Sequence, residues 1–119
     1  MIFNANPKNI KIAAKLSGID VEIIKIYIQG VIHGFCQNNY DTWFSVRKLF
    51  GAENSDWSDT PLQKIYDYYR LKQNENAKEN AAKDVGYLLK QVLMEDCKYT
   101  LDMKKGYRTN EYRVNTNED

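Results

Sequence analysis

Four shortages narrow what this 119-residue chain can be before any pattern is read. Cysteine is scarce: Cys36 and Cys97 are too few for a disulfide framework or a four-cysteine zinc site, so neither disulfides nor metal is expected to hold the fold. Histidine occurs once, at His33, which limits acid–base chemistry. An excess of one charge is missing, since 17 Lys and Arg face 16 Asp and Glu for a net charge of +1. The long-range field is therefore weak, and attraction to phosphate has to come from a local patch. Long apolar runs are absent too. The stretch from Val21 to Phe35 is interrupted by Glu22, Lys25, Gln29 and His33 and is too short to span a bilayer, so no membrane partner is expected. Met1 to Pro7 has no charged-then-apolar leader, and the reading is a cytoplasmic protein with reduced thiols.

The same scarcity extends to catalytic signatures. There is no glycine-rich phosphate loop, nucleophile elbow or metalloprotease helix, and the pairs Glu53 with Asp56 and Glu95 with Asp96 sit in polar settings. No catalytic residue, cofactor or metal is expected. His33 and Cys36, three apart, could share a helix face as two soft ligands or an imidazole–thiol pair. Two ligands do not make a zinc site, and completing one would need Cys97 and a carboxylate.

What is present is periodicity. The predicted fold class is α+β and mainly helical, with five helices and a C-terminal two-stranded hairpin, in one domain over residues 1–114 with a disordered tail at 115–119. Asn6 and Pro7 start a first helix that Gly18 ends. Asp20 caps a second, running to about Asn38, whose Ile23, Ile24, Ile26, Tyr27, Ile28, Val31, Ile32 and Phe35 cover more than one face; this surplus predicts a homodimer through that helix. A third runs from Thr42 to Gly51, with Trp43, Val46, Leu49 and Phe50 on one face. Trp57 pins the following loop to the core. Thr60 and Pro61 open a fourth helix to about Lys72, with Gln63 placed for a capping box and Leu62, Ile65, Tyr66 and Tyr69 as its apolar stripe. The fifth spans Asn80 to Asp96 on Ala81, Val85, Leu88, Leu89 and Val92. The period then changes to two: Tyr99, Leu101 and Met103 run out, Lys104-Lys105-Gly106 turns, and Tyr112 and Val114 return and pack on the last helix.

A helix feeding a basic-tipped hairpin is winged-helix-like. On that reading Lys83, Lys90 and Gln91 lie off the apolar face of the last helix and meet a duplex, while Lys104, Lys105 and Arg108 touch phosphate. Asp84, Glu95, Asp96 and Asp102 stand against it, as does the extra helix from Pro61 to Lys72. A second support for nucleic acid is Ile12-Ala13-Ala14-Lys15-Leu16-Ser17-Gly18-Ile19-Asp20, continued by Ile24 and Tyr27, a helix-turn-helix pattern whose second helix offers only Lys25 as a basic group. The alternative partner is another protein or a small ligand, bound at the aromatic cluster of Trp43 and Trp57 with Tyr68 and Arg70, since Tyr68 points away from the stripe of its helix.

The run Trp43-Phe44-Ser45-Val46-Arg47-Lys48-Leu49-Phe50-Gly51-Ala52-Glu53-Asn54, with Trp57, Thr60-Pro61-Leu62 and Asp84-Val85-Gly86-Tyr87-Leu88-Leu89-Lys90, resembles small uncharacterised proteins carried on integron gene cassettes and similar mobile elements. The likeness spans about the last two thirds of the chain. It implies a compact single domain with an accessory, non-enzymatic role, and it transfers no functional residue. The function expected from all of this is a small accessory binding protein, most concretely a winged-helix-like binder of nucleic acid.

Overall fold

The computed structural model describes residues 12, 14–51, 56–73, 75–96, 100–106 and 110–114. In chain order these form α1 (Gly18–Asn38), α2 (Val46–Phe50), α3 (Gln63–Leu71), α4 (Ala77–Glu95), β1 (Leu101–Lys105) and β2 (Asn110–Val114). The molecule is α+β and mainly helical, with one antiparallel hairpin, and the described residues hold four helices rather than five. The start of the expected first helix at Asn6 and Pro7 lies outside the described residues, as does the tail at 115–119. Ile12 and Ala14 to Ser17 are described and are not helical.

Gly18 does not stop a helix. It is the first residue of α1, because Ser17 is the cap: its hydroxyl accepts from the Asp20 amide at 3.1 Å. One face of α1, made by Ile24, Ile28, Ile32 and Cys36 at every fourth position, is buried in the core. The wide apolar surface expected of this helix therefore divides in two, and Ile19, Ile23 and Ile26 stay exposed.

The helix expected from Thr42 begins only at Val46. Phe44 is instead extended, exchanging both backbone hydrogen bonds with Tyr112 at 2.7 and 2.8 Å in a single antiparallel bridge. Ser45 then caps α2, its hydroxyl accepting from the Lys48 amide at 3.2 Å, and Gly51 closes it at φ 80°, where a side chain would be strained. Trp57 does pin the next loop: it is buried, and its indole N–H donates to the Phe50 carbonyl at 2.9 Å. Thr60 organises the entry to α3 by donating to the Trp57 carbonyl at 2.7 Å and accepting from the Leu62 amide at 3.2 Å. The expected capping box does not form, because the Gln63 side chain donates to Asp67 at 2.9 Å.

Helix α4 is the central element, packed against α1, α2 and α3. Its inner arc of Ala81, Val85, Leu88, Leu89 and Val92 meets Leu62, Ile65 and Tyr69 in one core. The hairpin aligns Leu101 with Val114 and Met103 with Tyr112, and Leu101, Tyr112 and Val114 are buried as the alternation requires, while Tyr99 lies outside the described residues. Phe44 extends this inner face with rings at 5.4 Å to Phe35 and 5.9 Å to Tyr112. Among the described residues no helix is long and apolar enough to cross a membrane.

Candidate nucleic-acid interface

A helix buried along one arc must show its other arc to a neighbour or to water. Projecting α4 at 100° per residue places Asn80, Lys83, Gly86, Tyr87, Lys90 and Gln91 together on the arc opposite Ala81, Val85 and Leu88. Lys83 and Tyr87 are exposed, and Asn80, Gly86, Lys90 and Gln91 are partly so. Gly86 lies where α2 crosses, 3.6 Å from the Val46 side chain to the position a Cβ would take. Between Asn80 and Met94 this arc carries two lysines, an aromatic ring, two amides and the buried Met94, and the exposed Glu79, one turn before Lys83, lies on the same arc. Neither lysine is held in an ion pair among the described residues.

Four carboxylates counted against a phosphate-binding face on sequence grounds, and the structure places each of them in contact with a polar group of the protein. Asp84 lies inside, 1% exposed, accepting from the Tyr69 hydroxyl at 2.7 Å and the Ala14 amide at 3.1 Å. Glu95 reaches Lys25 of α1 at 2.7 Å. Asp96 lies 2.5 Å from His33, with Gln29 donating to the same oxygen at 3.4 Å. Asp102 accepts from Arg113 at 3.1 Å, across the hairpin and on its outer face. These four carboxylates are thus drawn into the α1–α4 seam, the core and the hairpin, while Glu79 stays exposed on α4 and Glu111 lies opposite Lys104 in the hairpin register.

On the hairpin, Lys104 and Lys105 are both exposed, and Arg108 lies outside the described residues. Pairing of Phe44 with Tyr112 turns Phe44 inward and so sends Trp43 to the opposite, outer face. There the Lys104 ammonium sits 4.2 Å from the Trp43 ring centroid and the Arg113 guanidinium 4.6 Å. The cations are held against an aromatic surface by the ring's negative face, a contact that strengthens as water is removed. Sequence spacing missed Arg113; its place opposite Asp102 in the register is what brings it to Trp43.

The residues proposed for a ligand or protein partner do not form one cluster. Trp57 belongs to the core, Trp43 to the outer face of the hairpin, and Tyr68 stacks edge-on against Tyr69 at 5.1 Å with the Lys72 ammonium 5.0 Å from its ring. Arg70 bonds Asp67 and, with Tyr66 and residues 75–79, lines a shallow depression of about 290 Å³ to which neither tryptophan contributes.

His33 and Cys36 do share one side of α1, but not as a catalytic pair. Burial, with Asp96 adding to it, pushes the Cys36 thiol up from 9.0 to about 11, so near neutral pH it stays protonated and unreactive. Cys97 lies outside the described residues, and among those described no three His, Cys, Asp or Glu side chains are grouped to hold a metal.

No family model matches the chain, and neither the curated proteins nor the solved structures contain a significant match to it.

Proposed function

We propose that this is a small accessory protein that binds nucleic acid, presenting the outward arc of α4 to a duplex and the hairpin to the flanking backbone. The observation that carries this reading is the charge sorting around α4. Lys83 and Lys90 stand out on an arc with Tyr87 and Gln91, while four of the nearby carboxylates, Asp84, Glu95, Asp96 and Asp102, are engaged elsewhere. Unpaired lysines can displace counterions from phosphate, and Gln91 can reach a base edge or a phosphate oxygen. The order of elements supports the same reading: a helix, one bridged residue, two short helices, a long helix and a hairpin whose second strand holds that bridged residue in antiparallel pairing. With α3 as an additional helix between α2 and α4, the order is similar to that of a winged helix, an analogy at the level of fold.

The test is filter binding of a mixed-sequence duplex across a salt series. The unchanged protein should bind at low salt and weaken steeply as salt rises. Replacing Lys83 and Lys90 together by Ala should weaken binding and lower the log–log salt slope by about 1.8, each lost phosphate contact contributing about 0.9. A protein that ignores the duplex at low salt, or a variant with the original slope, would end this reading.

A further inference from the structure

The outer face of α1 carries a second, separate surface. Around a helix of 3.6 residues per turn, Ile19, Ile23, Ile26, Gly30, Gly34 and Gln37 fall on one arc, opposite the buried Ile24, Ile28 and Ile32. Ile19 is 75% exposed, Ile23 49% and Ile26 64%. No charged side chain lies on this arc, whereas its edge beside α4 holds the Lys25 contacts to Glu22 and Glu95. An uncharged, isoleucine-bearing face of this length is unusual for a helix that ends in water.

The glycines sharpen the point. Each costs more than any ordinary residue in a helix interior, about 1 kcal/mol relative to Ala. Nothing within the protomer calls for them: among the described glycines only Gly51 has positive φ, and a Cβ added to Gly30 or Gly34 would meet nothing within 4 Å. Glycines that are open within the protomer and line up with exposed isoleucines suit close approach by another backbone.

We infer that α1 pairs with α1 of a second copy, antiparallel and across a twofold axis at Gly30. A twofold interface has to be complementary to itself, and the arc from Ile23 to Gln37 meets that condition in that register, with Ile19 lying past the end of the partner's α1. Ile26 of one protomer falls over Gly34 of the other, Gly30 faces Gly30, and Ile23 meets Gln37, so large residues of one half seat on small or neutral ones of the other. The antiparallel helix dipoles also attract. Centred on Gly30, the two helices overlap over residues 22–38, about 25 Å at 1.5 Å per residue, and at some 10–12 Å wide they give a combined footprint of roughly 500–600 Å². That is well below the area of a stable specific interface, so the pairing is that of a weak, transient dimer. This inference does not rest on the nucleic-acid reading, since α1 and the outward arc of α4 are different surfaces.

Sedimentation velocity of the full chain over a concentration series from micromolar to millimolar tests it. The unchanged protein should move from monomer to dimer as concentration rises. Ile26→Glu should stay monomeric with its helical signal intact, because this side chain lies in water in the monomer. Gly34→Ala separates the explanations further: with no neighbour in its own protomer it should raise the melting temperature, yet it should weaken the dimer by a factor of ten or more. A protein monomeric at every concentration would leave this face to a different protein or to residues 1–11, and would overturn the proposal. A dimer unaffected by either substitution would overturn it as well.

Discussion

The Asp84 carboxylate joins three parts of the chain, and removing one of its hydrogen-bond donors gives a sharp test of how the core is fastened. Its Oδ2 accepts from Tyr69 on α3 and from the Ala14 amide, in a site only 1% exposed. Tyr69→Phe keeps the ring and its contact with Tyr68 and deletes only the hydroxyl, so the loss is one buried hydrogen bond with no cavity. Such a bond is worth about 1–3 kcal/mol. At roughly 4 °C per kcal/mol for a domain of this size, the melting temperature should fall by about 4–12 °C. Asp84→Leu should cost more, because it leaves the Tyr69 hydroxyl and the Ala14 amide buried without this acceptor. Combining the two changes should then be less destabilising than Asp84→Leu alone, since the double variant no longer strands the hydroxyl. Thermal and urea unfolding followed by circular dichroism measure all four proteins, with an unchanged urea m-value as the check that only the folded state has altered. A Tyr69→Phe protein that melts with the parent, or a double variant less stable than Asp84→Leu, would refute the reasoning.

The remaining predictions concern pH and backbone strain. Folding holds the Cys36 proton to about pH 11 against 9.0 for a free thiol, so its contribution is complete below pH 9 and is lost between about 9 and 11. That loss amounts to about 2–3 kcal/mol. Urea midpoints measured from pH 8 to 11 should fall accordingly, and Cys36→Ala should flatten that part of the curve. Tyr69, whose hydroxyl is pushed up from 10.0 by burial and by Asp84, adds a decline at higher pH that Cys36→Ala leaves in place. Gly51 closes α2 at φ 80° and ψ −179°, a region almost reserved for glycine, so Gly51→Ala should destabilise by about 1–3 kcal/mol in the same urea assay. No change there would mean that the turn relaxes freely.

Features set by local chemistry were readable in the chain. Thr60 and Pro61 mark the entry to α3, Gly51 marks the end of α2, and the alternation of Leu101, Tyr112 and Val114 marks the hairpin, because each depends on residues a few positions away. The spacing of Trp43 to Val46 and Phe50 fits a helix that would take in Phe44 as well, while the bridge that makes Phe44 extended is to Tyr112, far along the chain. The pairing of His33 with Asp96 is similarly distant and leaves no trace in spacing. Asp84 is different. It sits three after Ala81 and four before Leu88, on the apolar arc itself, and its burial could have been read from that position. Residues Lys83, Lys90 and Gln91 were placed off the apolar arc by the same periodicity, but the disposal of the neighbouring acids needed the tertiary contacts.

The two tryptophans lie in unlike settings, one sealed against the Phe50 carbonyl and one half-open beside Lys104 and Arg113. This gives the protein a built-in optical label. Iodide, drawn by the neighbouring cations, should quench the emission of Trp43 selectively and leave the blue-shifted emission of Trp57 dark to it, while neutral acrylamide should discriminate less. Any molecule that settles on the hairpin would shield the first signal without touching the second, so occupancy there can be followed with no added dye.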